Sequence, residues 1–215
     1  IVISSLGAVP EVNAAVHSYG GIVLHDITTV RHAHSAINKG ADGLIAVAAG
    51  AGGHAGPLSP FALVSEIREW FDGPLLLAGS ISTGGGILAA QAMGADLAYI
   101  GSPFIATPEA RAVDDYKQMI VESAAKDIAY SNYFTGIHGN YLKGSIAKAG
   151  MDPENLPEAD PTKMDFGAAA TGAKAWKEIW GSGQGIGAVK EIQPVADLVD
   201  RFEREYNAAR ERLSL

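Results

Sequence analysis

One figure recurs five times before residue 110: a short apolar run without polar alternation, a loop of glycine or small polar residues, then a helical stretch. The runs cover residues 1–5, 20–24, 43–48, 73–78 and 97–100. A strand that is apolar throughout has to be covered on both faces, as happens when helices pack over a parallel sheet. Strands alternating with helices at intervals of about 20–30 residues are βαβ units. Doubly wound sheets and (β/α)8 barrels both satisfy this pattern. The barrel is favoured, because glycine-rich and polar segments follow every strand at one end, where barrels collect their active-site loops. A complete barrel needs eight units and about 250 residues. The expected fold is therefore α/β, a (β/α)8 TIM barrel of which about the last five βα units are present, with three strands missing at the front. The chain starts at Ile1 rather than Met and enters a strand at once, so residue 1 is not expected to be the natural start, and no signal peptide is read there.

Helix signals fit the same frame. Pro10 suits the first turn of a helix to about residue 18, and a second helix over about 29–38 carries Ala33, Ala36 and Ile37 on its apolar side. Ser59-Pro60 starts a helix whose core face is Phe61, Leu63, Val64, Ile67 and Phe71. Gly84-Gly-Gly86 precedes a helix through about Met93, and Thr107-Pro108 opens a long one to about Asp127. Residues 130–193 change character. Turn signals at Ala149-Gly150, Asp152-Pro153, Leu156-Pro157 and Asp160-Pro161 suggest an excursion or small lid with short helices. From about 194 to 213, Val195, Leu198, Val199, Phe202, Tyr206, Ala209 and Leu213 share one helix face, for packing or an oligomer contact. The expected division is a partial barrel over 1–110 and a helical lid or extension with the C-terminal helix over 111–215.

The formal net charge of −8 argues against nucleic acid or an anionic membrane as the main partner. The absence of cysteine excludes disulfides, zinc-thiolate sites and cysteine nucleophiles, and fits a cytoplasmic protein. No apolar run approaches the roughly 20 residues of a membrane span.

Chemistry concentrates in three loops. Gly50-Ala-Gly-Gly-His-Ala-Gly56 follows the third strand, and His54 is its one titratable side chain. Glycines let a ligand approach bare backbone, and a histidine held there is a candidate proton-transfer group. Gly79-Ser80 and Gly101-Ser102 follow neighbouring strands. Their amides, serine hydroxyls and a nearby helix N-terminus would make an anion site where barrels bind phosphate. His32 and His34 flank Ala33 and point to different sides, so no metal site is expected. His17, His25 and His138 read as single surface residues. His25-Asp26 is retained as a secondary candidate, because it ends a strand on the presumed active face.

With these loops in place the chain resembles the nitronate monooxygenase family, formerly 2-nitropropane dioxygenases, which are FMN-containing barrels. The resemblance rests on Gly40-Ala-Asp-Gly-Leu-Ile45, Ala51-Gly-Gly-His-Ala-Gly56, Leu77-Ala-Gly-Ser-Ile-Ser-Thr-Gly-Gly-Gly-Ile87, Ala90-Gln-Ala-Met-Gly-Ala95 and Ile100-Gly-Ser-Pro-Phe104. Thr135-Gly136, Asn140-Tyr141 and Trp180-Gly-Ser-Gly-Gln-Gly185 extend it into the tail. The resemblance implies that His54 removes the proton α to a nitro group. It implies that Gly79, Ser80, Gly101 and Ser102 hold the FMN phosphate, that Ala51, Gly52 and Gly53 lie near the flavin, and that Gln184 returns over the ring. The implied partners are a nitronate or nitroalkane and O2, with a homo-oligomer as an option. The implied products are a carbonyl compound and nitrite. The family's first three strands and a lysine it often places on the strand matching residues 20–24 are not found here, and Val47 or Ala48 replaces a polar residue. Flavin-dependent NAD(P)H reductases of the quinone or enoyl-acyl-carrier-protein type share this scaffold and form the alternative.

Overall fold

In the computed structural model, residues 1–159 and 177–214 are described, and the turn expected at Asp160-Pro161 lies outside them. The first part runs β1 (Val2–Ser4), α1 (Pro10–His17), β2 (Val23–Ile27), α2 (Val30–Asn38), β3 (Gly43–Val47), β4 (Gly53–His54) and α3 (Pro60–Arg68). It continues through β5 (Leu75–Ala78), α4 (Gly84–Ala92), β6 (Leu97–Tyr99), α5 (Ser102–Ile105) and α6 (Asp114–Glu122). Then come β7 (Ile128–Ser131), β8 (Gly139–Leu142), α7 (Lys143–Lys148) and α8 (Val195–Leu213).

One parallel sheet has the order β1-β2-β3-β5-β6. Its order follows the chain and never reverses. A doubly wound sheet reverses at its switch point, so this is the arc of a barrel: five consecutive βα units of a (β/α)8 fold. Alternate residues separate the two faces of the arc. Ile27, Leu44, Ala46, Leu75 and Leu77 pack under the helices with Ala33, Ala36, Leu63, Val64 and Ile67. Leu24, Ile45, Val47, Leu76 and Ala78 turn to the other face with Ala51 and Ala55. Fully burying one such leucine contributes about 1.5–3 kcal/mol, so both faces hold the strands in place.

A second, antiparallel sheet of order β4-β8-β7 stands beside the first. The excursion expected after residue 130 therefore contains a hairpin, and part of the expected histidine loop is itself a strand. The long helix expected from Thr107 is absent; α6 starts at Asp114 instead. Thr107 spends its hydroxyl on a tight turn, donating to the Phe104 carbonyl while accepting from the Ala110 N–H. Gly84 does not precede α4 but begins it, with Thr83 as the N-cap accepting from Gly86 N–H. Bare backbone is needed there because α8 lies across it. A Cβ at Gly84 would stand 2.1 Å from Phe202 O and 2.2 Å from Tyr206 N. On α8, Leu198 and Phe202 are buried as expected, but Val199 is 48% and Leu213 63% exposed. Phe61, placed on a core face by its spacing, is also exposed.

Candidate functional site

The loops after β3, β5 and β6 leave the carboxyl ends of the parallel strands and surround a cavity of ≈ 340 Å³. Ala51, Gly52, Gly53, His54, Gly79, Ser80, Gly101 and Ser102 all line it. Of the nine residues to which the resemblance gave a role, only Gln184 does not, although its neighbours Gly183 and Gly185 do. Gln184 instead donates its backbone N–H to Gly50 O at 2.9 Å.

The second glycine-rich segment is glycine-rich because it threads between the other loops. A Cβ at Gly183 would stand 2.7 Å from Gly50 O, and one at Gly185 2.7 Å from Ser80 O. Gly183 N–H donates to Ser102 Oγ at 2.9 Å, and Ser182 N–H to Asn140 O at 3.1 Å. The Tyr116 hydroxyl donates to Gly181 O, and its ring stacks on Trp180.

His54 is positioned by the second sheet. β4 pairs with β8, setting His54 opposite Gly139. The buried Asn140 Nδ2 donates to Ala51 O at 2.7 Å, and the Tyr130 hydroxyl to Ala55 O at 3.0 Å. The Thr135 hydroxyl donates to Ile137 O at 3.1 Å, so its oxygen is the acceptor for His54 Nε2–H at 2.9 Å. That places the lone pair of a neutral ring on Nδ1. Burial lowers the His54 pKa below the ordinary histidine value, which keeps the ring neutral near pH 7. Thr135, Asn140 and Tyr130 received no role in the sequence. The pairs Thr135-Gly136 and Asn140-Tyr141 were visible there only as motifs without a partner.

The two Gly-Ser loops differ in construction. Gly79 and Ser80 both take positive φ, +132° and +57°. A Cβ at Gly79 would stand 2.9 Å from Ala49 O. At Gly101 an added Cβ would meet no atom of the described residues within 4 Å. Glycine is required by backbone at the first loop, whereas at the second it leaves open space in the cavity wall. At the N-terminus of α4, Gly84 N–H donates to Glu205 Oε2 at 2.8 Å.

A second cavity, of ≈ 810 Å³, shares Asp26, Val47 and His54 with the first. His25, expected at the surface, is buried, with Nδ1 2.6 Å from Ser4 Oγ. Asp26, two residues after Leu24 on the inner face, has its Oδ1 buried without a hydrogen-bond partner among the described residues. Burial pushes its pKa up to about 6, against a smaller opposing effect of Ser5.

A sequential parallel arc with a glycine-lined cavity at the strand ends defines an α/β protein of the barrel class. Comparison with known proteins narrows this. The profile of the nitronate monooxygenase family matches residues 1–205, and the chain belongs to that family. It is 28% identical to a nitronate monooxygenase of Paraburkholderia phytofirmans over 94% of this chain and 59% of that protein. It is 30% identical to one of Pseudomonas aeruginosa over 89% of this chain and 58% of that protein. The solved nitroalkane oxidase from Streptomyces ansochromogenes superposes with a TM-score of 0.78 at 27% identity, covering 100% of this chain and 66% of that one. FabK from Thermotoga maritima, as its M276A mutant, gives the same TM-score at 23% identity, covering 99% and 68%, a likeness of fold. The chain spans about 59% of the length of the curated relatives it matches first. Among the described residues no helix is long and apolar enough to cross a membrane.

Proposed function

We propose that this chain carries the cofactor- and substrate-binding face of an FMN-dependent oxidase, which turns nitronates and nitroalkanes into carbonyl compounds and nitrite with O2. The observation that carries the reading is His54, an imidazole in the wall between two cavities with its Nε2 tied to Thr135. The residues fit a flavin phosphate. Gly101 leaves open space, Gly79 and Ser80 turn their backbone through positive φ at the cavity edge, and the first cavity falls within the range of small-ligand sites. Gly79, Ser80, Gly101 and Ser102 would hold that phosphate. Ala51, Gly52 and Gly53 line the same cavity and would lie near the flavin, and Gln184 fixes Gly50 from the tail.

FMN, when bound, supplies the transfer of electrons from substrate to O2. The chain's own residues do the rest. Nδ1 of His54 takes the proton α to the nitro group of a neutral nitroalkane, and Thr135 keeps the ring in the orientation and tautomer this needs. A nitronate arrives already deprotonated and skips that step. The segment 181–185 closes the cavity and excludes water from one side.

A second reading, an FMN-dependent NAD(P)H reductase, draws support from the second cavity, since ≈ 810 Å³ exceeds what a small nitroalkane fills. One experiment separates them. An oxidised-flavin spectrum that bleaches anaerobically with a nitronate supports the oxidase. Bleaching with NAD(P)H alone supports the reductase. A colourless protein that FMN cannot reconstitute refutes both.

A further inference from the structure

We propose that Asp26 is a ligand-binding residue of this site, whose carboxylate accepts the imide N–H at the pyrimidine end of the flavin. The proposal rests on the FMN reading above. It starts from position. If the phosphate lies at the loops after β5 and β6, the ligand must extend sideways across the strand ends. Asp26 stands at the end of β2, two strands from β5 and three from β6 in the sheet order. At the usual strand spacing that is about 10–14 Å, the reach of a ribityl chain plus its ring. Asp26 also lines the first cavity together with both Gly-Ser loops.

Next comes the unmet demand. On the inner face Asp26 stands among Leu24, Ile45, Val47 and Leu76, and the Ser5 side chain hydrogen-bonds its carboxyl group. A carboxylate in such a place requires N–H or O–H donors to offset its lost hydration. Oδ1 has none among the described residues, and Asp26 makes no ion pair among them either. Arg31 lines the second cavity without reaching it. The His25 ring is engaged by Ser4, and His54 Nε2 by Thr135. On this proposal the ligand supplies the donor that Oδ1 lacks. An ionised carboxylate oxygen accepts hydrogen bonds and cannot donate them, so Oδ1 calls for a donor such as an imide N–H.

The test compares FMN with N3-methyl-FMN, which lacks that hydrogen and is otherwise the same ligand. Dissociation constants come from quenching of flavin fluorescence, with the wild type, Asp26→Ala and Asp26→Asn. Wild type is expected to bind FMN at least tenfold more tightly than the methylated form. D26A should bind FMN at least tenfold more weakly and treat the two alike. D26N keeps an acceptor oxygen and should retain part of the preference; it carries the test if D26A does not fold. A preference in D26A or D26N equal to that of wild type overturns the proposal, as does a wild type that binds both forms equally. A wild type that binds neither flavin overturns the FMN reading itself, which keeps the two failures apart.

Discussion

A histidine that must take a proton has to arrive without one, and burial holds His54 in that state. Activity toward a neutral nitroalkane is therefore expected to persist below pH 6.5 and fall only as pH drops through the lowered pKa. A pH–rate profile with its acid limb at or above 6.5 would contradict this. His54→Asn should keep FMN and lose about 10²–10⁴-fold of the activity on neutral nitroalkanes, while nitronate oxidation stays within tenfold. Equal losses on both substrates would remove His54 as the base. Asp26 gives a stability signature. Its folded pKa, about 6, lies above the unfolded 3.8, so the native state holds the extra proton and stability falls as pH rises through that window. Asp26→Asn should thus stabilise the ligand-free protein at pH 8 and not at pH 4. The gain should be about 1–2 kcal/mol, after discounting the ~3 kcal/mol of a two-unit shift for partial exposure. Melting curves at the two pH values check it. At this scale the sequence showed the glycines and His54, because a run of small residues around one imidazole is conspicuous. It could not show Thr135 or Asn140, whose contacts to the loop bridge 81 and 89 residues.

The elements were legible where burial imposed a pattern. The parallel strands read as apolar runs because both faces are covered, and α1, α2 and α3 followed from proline, cap and period. β7 and β8 escaped notice because Ile128–Ser131 and Gly139–Leu142 are not continuous apolar runs, one of them holding glycine and asparagine. Their partners lie far along the chain. Thr107-Pro108 misled because a threonine that caps a turn has the same local chemistry as one that caps a helix. Two glycine substitutions separate the roles of the elements. Gly84→Ala would drive its methyl into the α8 backbone and should cost about 1–3 kcal/mol, read as a fall in Tm without FMN. Gly101→Val meets open space, so the ligand-free Tm should hold while FMN content falls. Normal flavin loading in G101V would refute the phosphate assignment.

For the whole molecule, the arc has two edge strands, β1 and β6, and large apolar residues stand exposed along both: Ile1, Ile3, Leu97 and Tyr99. Unpaired edges invite strand addition. These 215 residues by themselves are expected to associate as concentration rises, and Ile3→Lys with Leu97→Lys should suppress it. Light scattering that shows a stable monomer throughout would contradict the expectation. The arc was legible from its repeat, whereas the sheet that clamps the histidine was not, since only three-dimensional pairing brings β4 to β8. The strap at 181–185 that threads between the loops carries a consequence in time. A growing polypeptide presents the His54 loop long before Gly183 and Gln184 exist to brace Gly50. The contact of Gly84 with Glu205 spans 121 residues and forms later still. Contacts so distant along the chain close slowly. During synthesis the pocket would thus be completed only once the strap has been made, and a nascent chain cut short before the strap would carry every glycine of the first three loops and still have no finished place for a ligand.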